Sequence, residues 1–109
     1  MDFSRYENLR ALVRANFSET TQRLVDEALE YADGKLAGVC RYDGAPMLDH
    51  AAAVASIVIS EVGLGRNSAV SSILHDVVRL AHKERPADEF LALTEEIRNR
   101  FGEQVVGIT

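Results

Sequence analysis

The segment Ser71-Ser72-Ile73-Leu74-His75-Asp76-Val77-Val78 sets a charged dipeptide inside an apolar run. Val70, Ile73, Leu74, Val77 and Val78 recur at helical spacing, which predicts the buried stripe of an amphipathic helix. A His-Asp pair within such a stripe is costly unless something compensates it. Successive residues on a helix lie about 100° apart, so His75 and Asp76 can both reach one point beside it. A further histidine, His50, opens another apolar stretch and shares a face with Val54, Ile57 and Val58, which aims it toward the core side. Packing these two helices together would bring His50 to His75-Asp76. Two imidazoles and a carboxylate are a partial ligand set for a divalent metal, and a hydrolytic site wants at least one more ligand plus water. The plainer reading of the same residues is a structural histidine on an apolar face and an aspartate paired with Arg79.

Helical periodicity extends along the whole chain, and no segment reads as a credible strand, so the expected class is all-α with about five to six helices. Ser4 with Glu7 has capping-box spacing ahead of a first helix over about Arg5 to Ala15. Ser18 to Thr21 starts a second, which ends near Gly34 or Gly38. Asp43-Gly44 marks a turn within the loop Arg41 to Met47. Asp49 is placed to cap a third helix that ends at Gly63 and Gly65. Asn67 or Ser68 begins a fourth, and Pro86 marks a break. Thr94 opens a short helix that Gly102 stops, and an apolar element begins at Gln104.

With 109 residues the chain is one domain or part of one. Its net charge of −5 argues against a general nucleic-acid-binding role. A single cysteine, Cys40, cannot form an intramolecular disulfide and suits a reducing cytoplasm. No apolar stretch approaches the roughly 18–20 residues needed to span a membrane, and the N-terminus lacks a signal peptide's apolar core. A cytoplasmic protein is expected. The last apolar element stops without a capping group, so the native chain is expected to continue beyond Thr109. A piece of this kind would expose apolar stripes, from which a homodimer, with or without exchanged helices, is expected.

Three stretches, in order, resemble one family. Ala28-Leu29-Glu30-Tyr31-Ala32, Gly38 and Arg41-Tyr42-Asp43-Gly44-Ala45-Pro46-Met47-Leu48-Asp49-His50 form the first. Ile73-Leu74-His75-Asp76-Val77-Val78 is the second, and Glu95-Glu96-Ile97 through Phe101-Gly102 to Val105, Val106 and Thr109 is the third. Together they resemble the N-terminal HD hydrolase domain of RelA/SpoT-type (p)ppGpp synthetase/hydrolases, whose motif reads Leu-Leu-His-Asp-Val-Val-Glu-Asp. The resemblance implies an HD-domain-like helical fold and the stringent response as its setting. It implies a Mn²⁺ site on His50, His75 and Asp76, with a fourth ligand well beyond Thr109. It also implies a guanine nucleotide, (p)ppGpp, contacted by Arg41 and Tyr42, and removal of the nucleotide's 3′-pyrophosphate. The plain alternatives are a solvated Arg41 and a Tyr42 packed on its own loop.

The sequence departs from that pattern where the chemistry would lie. The family's catalytic Glu-Asp pair falls on Arg79-Leu80. An arginine stays protonated and cannot serve as a base, and a leucine has no proton to give. A family His falls on Leu36, Gln on Val39, Lys on Tyr42, Tyr on Met47 and Pro on Ala51. Three functions follow. One is an HD domain whose hydrolase is impaired and which serves structure or regulation. Another is an active Mn²⁺-dependent pyrophosphohydrolase whose acid and base have moved, to Glu84 or Asp88. The third is a helical interaction module in which the His-Asp match is fortuitous.

Overall fold

A computed structural model of the chain describes residues 3–40, 43–62, 65–84 and 86–108. A 3₁₀ turn at Phe3–Tyr6 leads into α1 (Glu7–Asn16), followed by α2 (Glu19–Lys35), α3 (Met47–Ile57), a π-helical turn at Val58–Val62, α4 (Arg66–Glu84), α5 (Ala87–Phe101) and α6 (Glu103–Ile108). The described residues contain no strand, only an isolated bridge between Cys40 and Pro46. The fold class is all-α, as the periodicity predicts.

α4 is the central helix and packs against α2, α3, α5 and α6. Its stripe of Ala69, Val70, Ile73, Leu74, Val77 and Ala81 is at most 3% exposed. Opposite it lie Val25, Ala28, Leu29 and Ala32 of α2, all fully buried. α3 presents Leu48, Ala51, Ala52 and Ala55. Small side chains let two helix axes approach closely, so α3 can lie near α4 at the level of Asp76.

Several boundaries differ from the sequence expectation. Ser4 falls within the 3₁₀ turn, and α1 begins after Tyr6 with no side-chain cap. Ser18 does cap α2, accepting from the Thr21 backbone N–H at 3.3 Å. Asp49 is not the cap of α3, because α3 begins after Pro46 and Asp49 lies within its first turn. The third helix also ends earlier than expected, giving way at Val58 to the π-helical turn. Ser56 and Ser60 donate to the carbonyls four residues back, at 3.0 and 2.8 Å, a contact that bends helices. Gly63 lies outside the described residues.

α5 starts seven residues before Thr94, directly after Pro86, with Asp88 and Glu89 in its first turn. Proline suits a helix start and acidic groups suit its positive end. Gly102 ends α5 at a φ of 103°, a left-handed conformation that disfavours side chains.

Candidate functional site

The loop between α2 and α3 is closed by short contacts at its base. Val39 N–H donates to the Leu36 carbonyl at 2.9 Å, and Met47 N–H donates to the Val39 carbonyl at 3.0 Å. At the far end Ala45 N–H donates to an Asp43 carboxylate oxygen at 3.0 Å, while Gly44 adopts a φ of 87°. The turn expected at Asp43-Gly44 is therefore present. Arg41 and Tyr42, the expected nucleotide contacts, lie outside the described residues.

The first turn of α3 is fixed from the N-terminal side. Arg5 donates to Asp49 Oδ2 at 2.5 Å, and Tyr6 Oη donates to Asp49 Oδ1 at 3.0 Å. Tyr6 is 7% exposed. Burial pushes its pKa up to about 12, with the hydrogen bond and negative charge of Asp49 acting in the same direction. Nothing in the sequence spacing links Arg5 and Tyr6 to Asp49. The contact spans more than 40 positions, and only the tertiary packing creates it.

His50, beside Asp49, is half-buried rather than core-facing. The buried face of α3 is the alanine-rich one, so the face shared by His50 and Val54 becomes its flank, and Ile57 is 49% exposed. That flank meets α4. His50, Ala51 and Val54 line a cavity of about 220 Å³ together with Ser71, Ser72, His75 and Asp76. The structure thus brings His50, His75 and Asp76 to one cavity, with Ser71 and Ser72 as additional polar walls that the sequence did not single out.

His75 is exposed, whereas Asp76 is 7% exposed. A carboxylate so deeply placed needs a partner. It has one: Arg79 Nη2 donates to Asp76 Oδ1 at 2.9 Å, one helical turn away. Among the described residues, no three His, Cys, Asp or Glu side chains come close enough to hold a metal ion. The three expected ligands therefore share a cavity without forming a chelate, and an Asp76 oxygen is engaged by a guanidinium. As arranged, these side chains do not fit a Mn²⁺ centre.

Asp76 also faces a second cavity of about 220 Å³ on the other side of the pair. Arg79, Leu80 and Lys83 of α4 form one wall, and Leu36, Val39, Cys40 and Met47 form the other. Five of the positions at which the sequence departs from the family pattern (Leu36, Val39, Met47, Arg79 and Leu80) therefore meet around a single space. The sequence singled out neither Lys83, whose only signal was its place one turn beyond Arg79, nor Cys40 as a wall of this space. Asp88 is exposed in α5 and lines neither cavity. The side chains of Glu84 and His82 lie outside the described residues. No helix among the described residues is long and apolar enough to cross a membrane.

Residues 28–109 match the HD domain family model. The chain is similar to a protein of Mycobacterium leprae named "Probable GTP pyrophosphokinase", 32% identical over 103 residues. The match takes in 94% of this chain and 12% of that protein, so the chain spans a small part of its relative's length. No solved structure matches the chain. With three-quarters of its length under the family model and the His-Asp dipeptide on its central helix, the chain belongs to the HD domain family.

Proposed function

We propose that this domain is part of a protein of (p)ppGpp metabolism, acting in the stringent response, and that its pyrophosphohydrolase chemistry has been lost in favour of a structural or regulatory role. The relative's name supports the metabolic setting. One observation carries the loss of turnover: Arg79 and Leu80 line the cavity beside Asp76 at the positions where the resembled family has its catalytic acids. A cavity that prepares water for attack on phosphorus needs a group able to take a proton. Arg79 is a permanent cation engaged with Asp76, and Leu80 is aliphatic.

A second reading, an active Mn²⁺-dependent 3′-pyrophosphohydrolase with relocated acid and base, rests on His50, His75 and Asp76 lining one cavity and would need them to close around the ion. Asp88 is a poor base for it, being exposed and away from both cavities. The deciding assay follows release of pyrophosphate from (p)ppGpp, with Mn²⁺, by the whole protein that carries this domain. No turnover is expected from the wild type, and a gain from Arg79→Glu combined with Leu80→Asp would support the assignment. Brisk hydrolysis by the wild type overturns it.

A further inference from the structure

We infer that the N-terminal 3₁₀ turn is a latch on α3. By gripping Asp49, Arg5 and Tyr6 hold the helix that carries His50, and release of that grip lets α3 turn as a unit on the π-helical segment after it while α2 and α4 stay in place. This goes beyond the proposed loss of hydrolysis, since it concerns how α3 is held whether or not (p)ppGpp is turned over.

The grip uses both carboxylate oxygens of Asp49. Oδ2 accepts from Arg5 at 2.5 Å and Oδ1 accepts from Tyr6 at 3.0 Å. The Arg5 side chain is 58% exposed and that of Asp49 33%. Water competes for a pair so placed, so the arginine half of the grip opens at modest cost. Arg5 is also the outer handle, because an acidic group presented from outside competes directly with Asp49 for its guanidinium. The rest of the anchorage of α3 is light. The helix begins after Pro46 with no side-chain cap. Its buried face is Leu48 with Ala51, Ala52 and Ala55. A buried alanine methyl hides far less apolar surface than the Val, Ile and Leu side chains of α4. Small side chains also leave few knobs to interlock, which favours sliding of one helix past another.

Room to move lies on two flanks. On one, His50, Ala51 and Val54 border the cavity of about 220 Å³ shared with α4. On the other, Asp49, Ala52 and Ile57 border a groove of about 400 Å³, whose opposite wall is Arg5, Tyr6 and Leu9. Lining atoms that face a void have no packing partner on that side. At its far end α3 passes into the π-helical turn Val58–Val62. A π segment interrupts the regular ladder of helix hydrogen bonds, and helices bend at such places. α3 is therefore a short rod with a pivot at one end and a two-bond catch at the other. His50 follows Asp49 in the gripped turn, so the catch sets where the His50 wall of the cavity stands.

Residual dipolar couplings of the backbone amides in the full chain report the helix axes. In the wild type, α2, α3 and α4 are expected to fit one alignment frame. In Arg5→Ala combined with Tyr6→Phe, α3 is expected to rotate by roughly 10–20° against an unchanged α2–α4 pair, or to lose coupling amplitude as it samples that range. Asp49→Asn keeps the shape of the side chain, drops its charge, and is expected to shift α3 in the same way from the other side of the grip. Circular dichroism checks that the variants remain helical, and Asp49→Asn decides alone if the double variant unfolds. An α3 that keeps its wild-type angle and amplitude in the folded variants overturns the inference. So does a change spread equally over α2 and α4, which means general loosening instead of a released helix. Hydrolysis of (p)ppGpp by the whole protein would remove the proposed function and leave these angles as they are. An immobile α3 would remove the latch and leave the hydrolysis assay to decide the function.

Discussion

Raising the pH through the ionisation of Tyr6 tests how firmly the N-terminal turn holds α3. Tyr6 is 7% exposed and donates to Asp49 at 3.0 Å. Its pKa is pushed from 10.0 up to about 12, first by burial and then by the hydrogen bond to Asp49. The folded state thus holds the phenolic proton more tightly than the unfolded chain. The stability tied to that proton is complete below the unfolded value of 10.0 and is lost as the pH climbs toward about 12. By about pH 11.5 the loss from this group alone reaches at most about 2 kcal/mol. Tyr6→Phe is the control, since it keeps the ring and removes the hydroxyl. Urea unfolding near neutral pH should find the wild type about 1–2 kcal/mol more stable than Tyr6→Phe. That margin should disappear by about pH 11.5. Tyrosinate absorbance should show a tyrosine ionising near pH 12, a step missing from Tyr6→Phe. A stability margin independent of pH across this range, or full ionisation of the folded protein well below pH 12, refutes the reasoning.

Three further outcomes can be checked on the same protein. Arg79→Ala should cost about 1 kcal/mol in urea unfolding, below the roughly 3–5 kcal/mol of a fully buried pair, because the Arg79 side chain is 62% exposed and water replaces part of what it gives; a loss at the upper end would place Asp76 in a drier setting than its cavities imply. Gly102→Ala should destabilise by about 1–3 kcal/mol through backbone strain alone, since φ is 103° and a Cβ there meets nothing within 4 Å; a neutral substitution would contradict that φ. Millimolar Mn²⁺ or a chelator should leave the melting temperature unchanged, and a rise with Mn²⁺ that His50→Ala abolishes would show that the imidazoles and Asp76 close around a metal after all.

The sequence specified the helices that carry strong end signals. Ser18 caps α2 as its position predicts, and Gly102 stops α5. It misplaced elements whose cues are weak or non-periodic. The first half of α5 has a sparse stripe, with Leu91 62% exposed and Phe90 and Leu93 its residues packed in the core, so periodicity alone started that helix at Thr94. Pro86 followed by Asp88 and Glu89 was the better guide. The orientation of His50 went wrong for a related reason. Large apolar residues at Val54, Ile57 and Val58 drew the core-facing side toward them, yet the buried face is built from Ala51, Ala52 and Ala55. Alanines add little to an apolar stripe, but they permit the close helix contact that decides which side is inside.

The meeting of His50 with His75 and Asp76 at one cavity was legible because two apolar helices had to pack, whatever their exact rotation. The division of that region into two cavities was not legible. Arg79 reaches back to Asp76 on the side of the second cavity. Asp76 stands between the spaces, shared by both linings, and its charge must be balanced from one side or the other. A metal gathered by His50 and His75 would balance it from the first cavity; Arg79 balances it from the second. The guanidinium is covalently attached and keeps its charge across the working pH range, so it needs neither metal supply nor a deprotonated neighbour. With Asp76 balanced from the arginine side, no metal is needed to offset its charge, and the second cavity is lined by that ion pair beside apolar walls. Arg79 and Leu80, which stand where the resembled family has its catalytic acids, thus tie the proposed loss of hydrolysis to the way the charge of Asp76 is balanced.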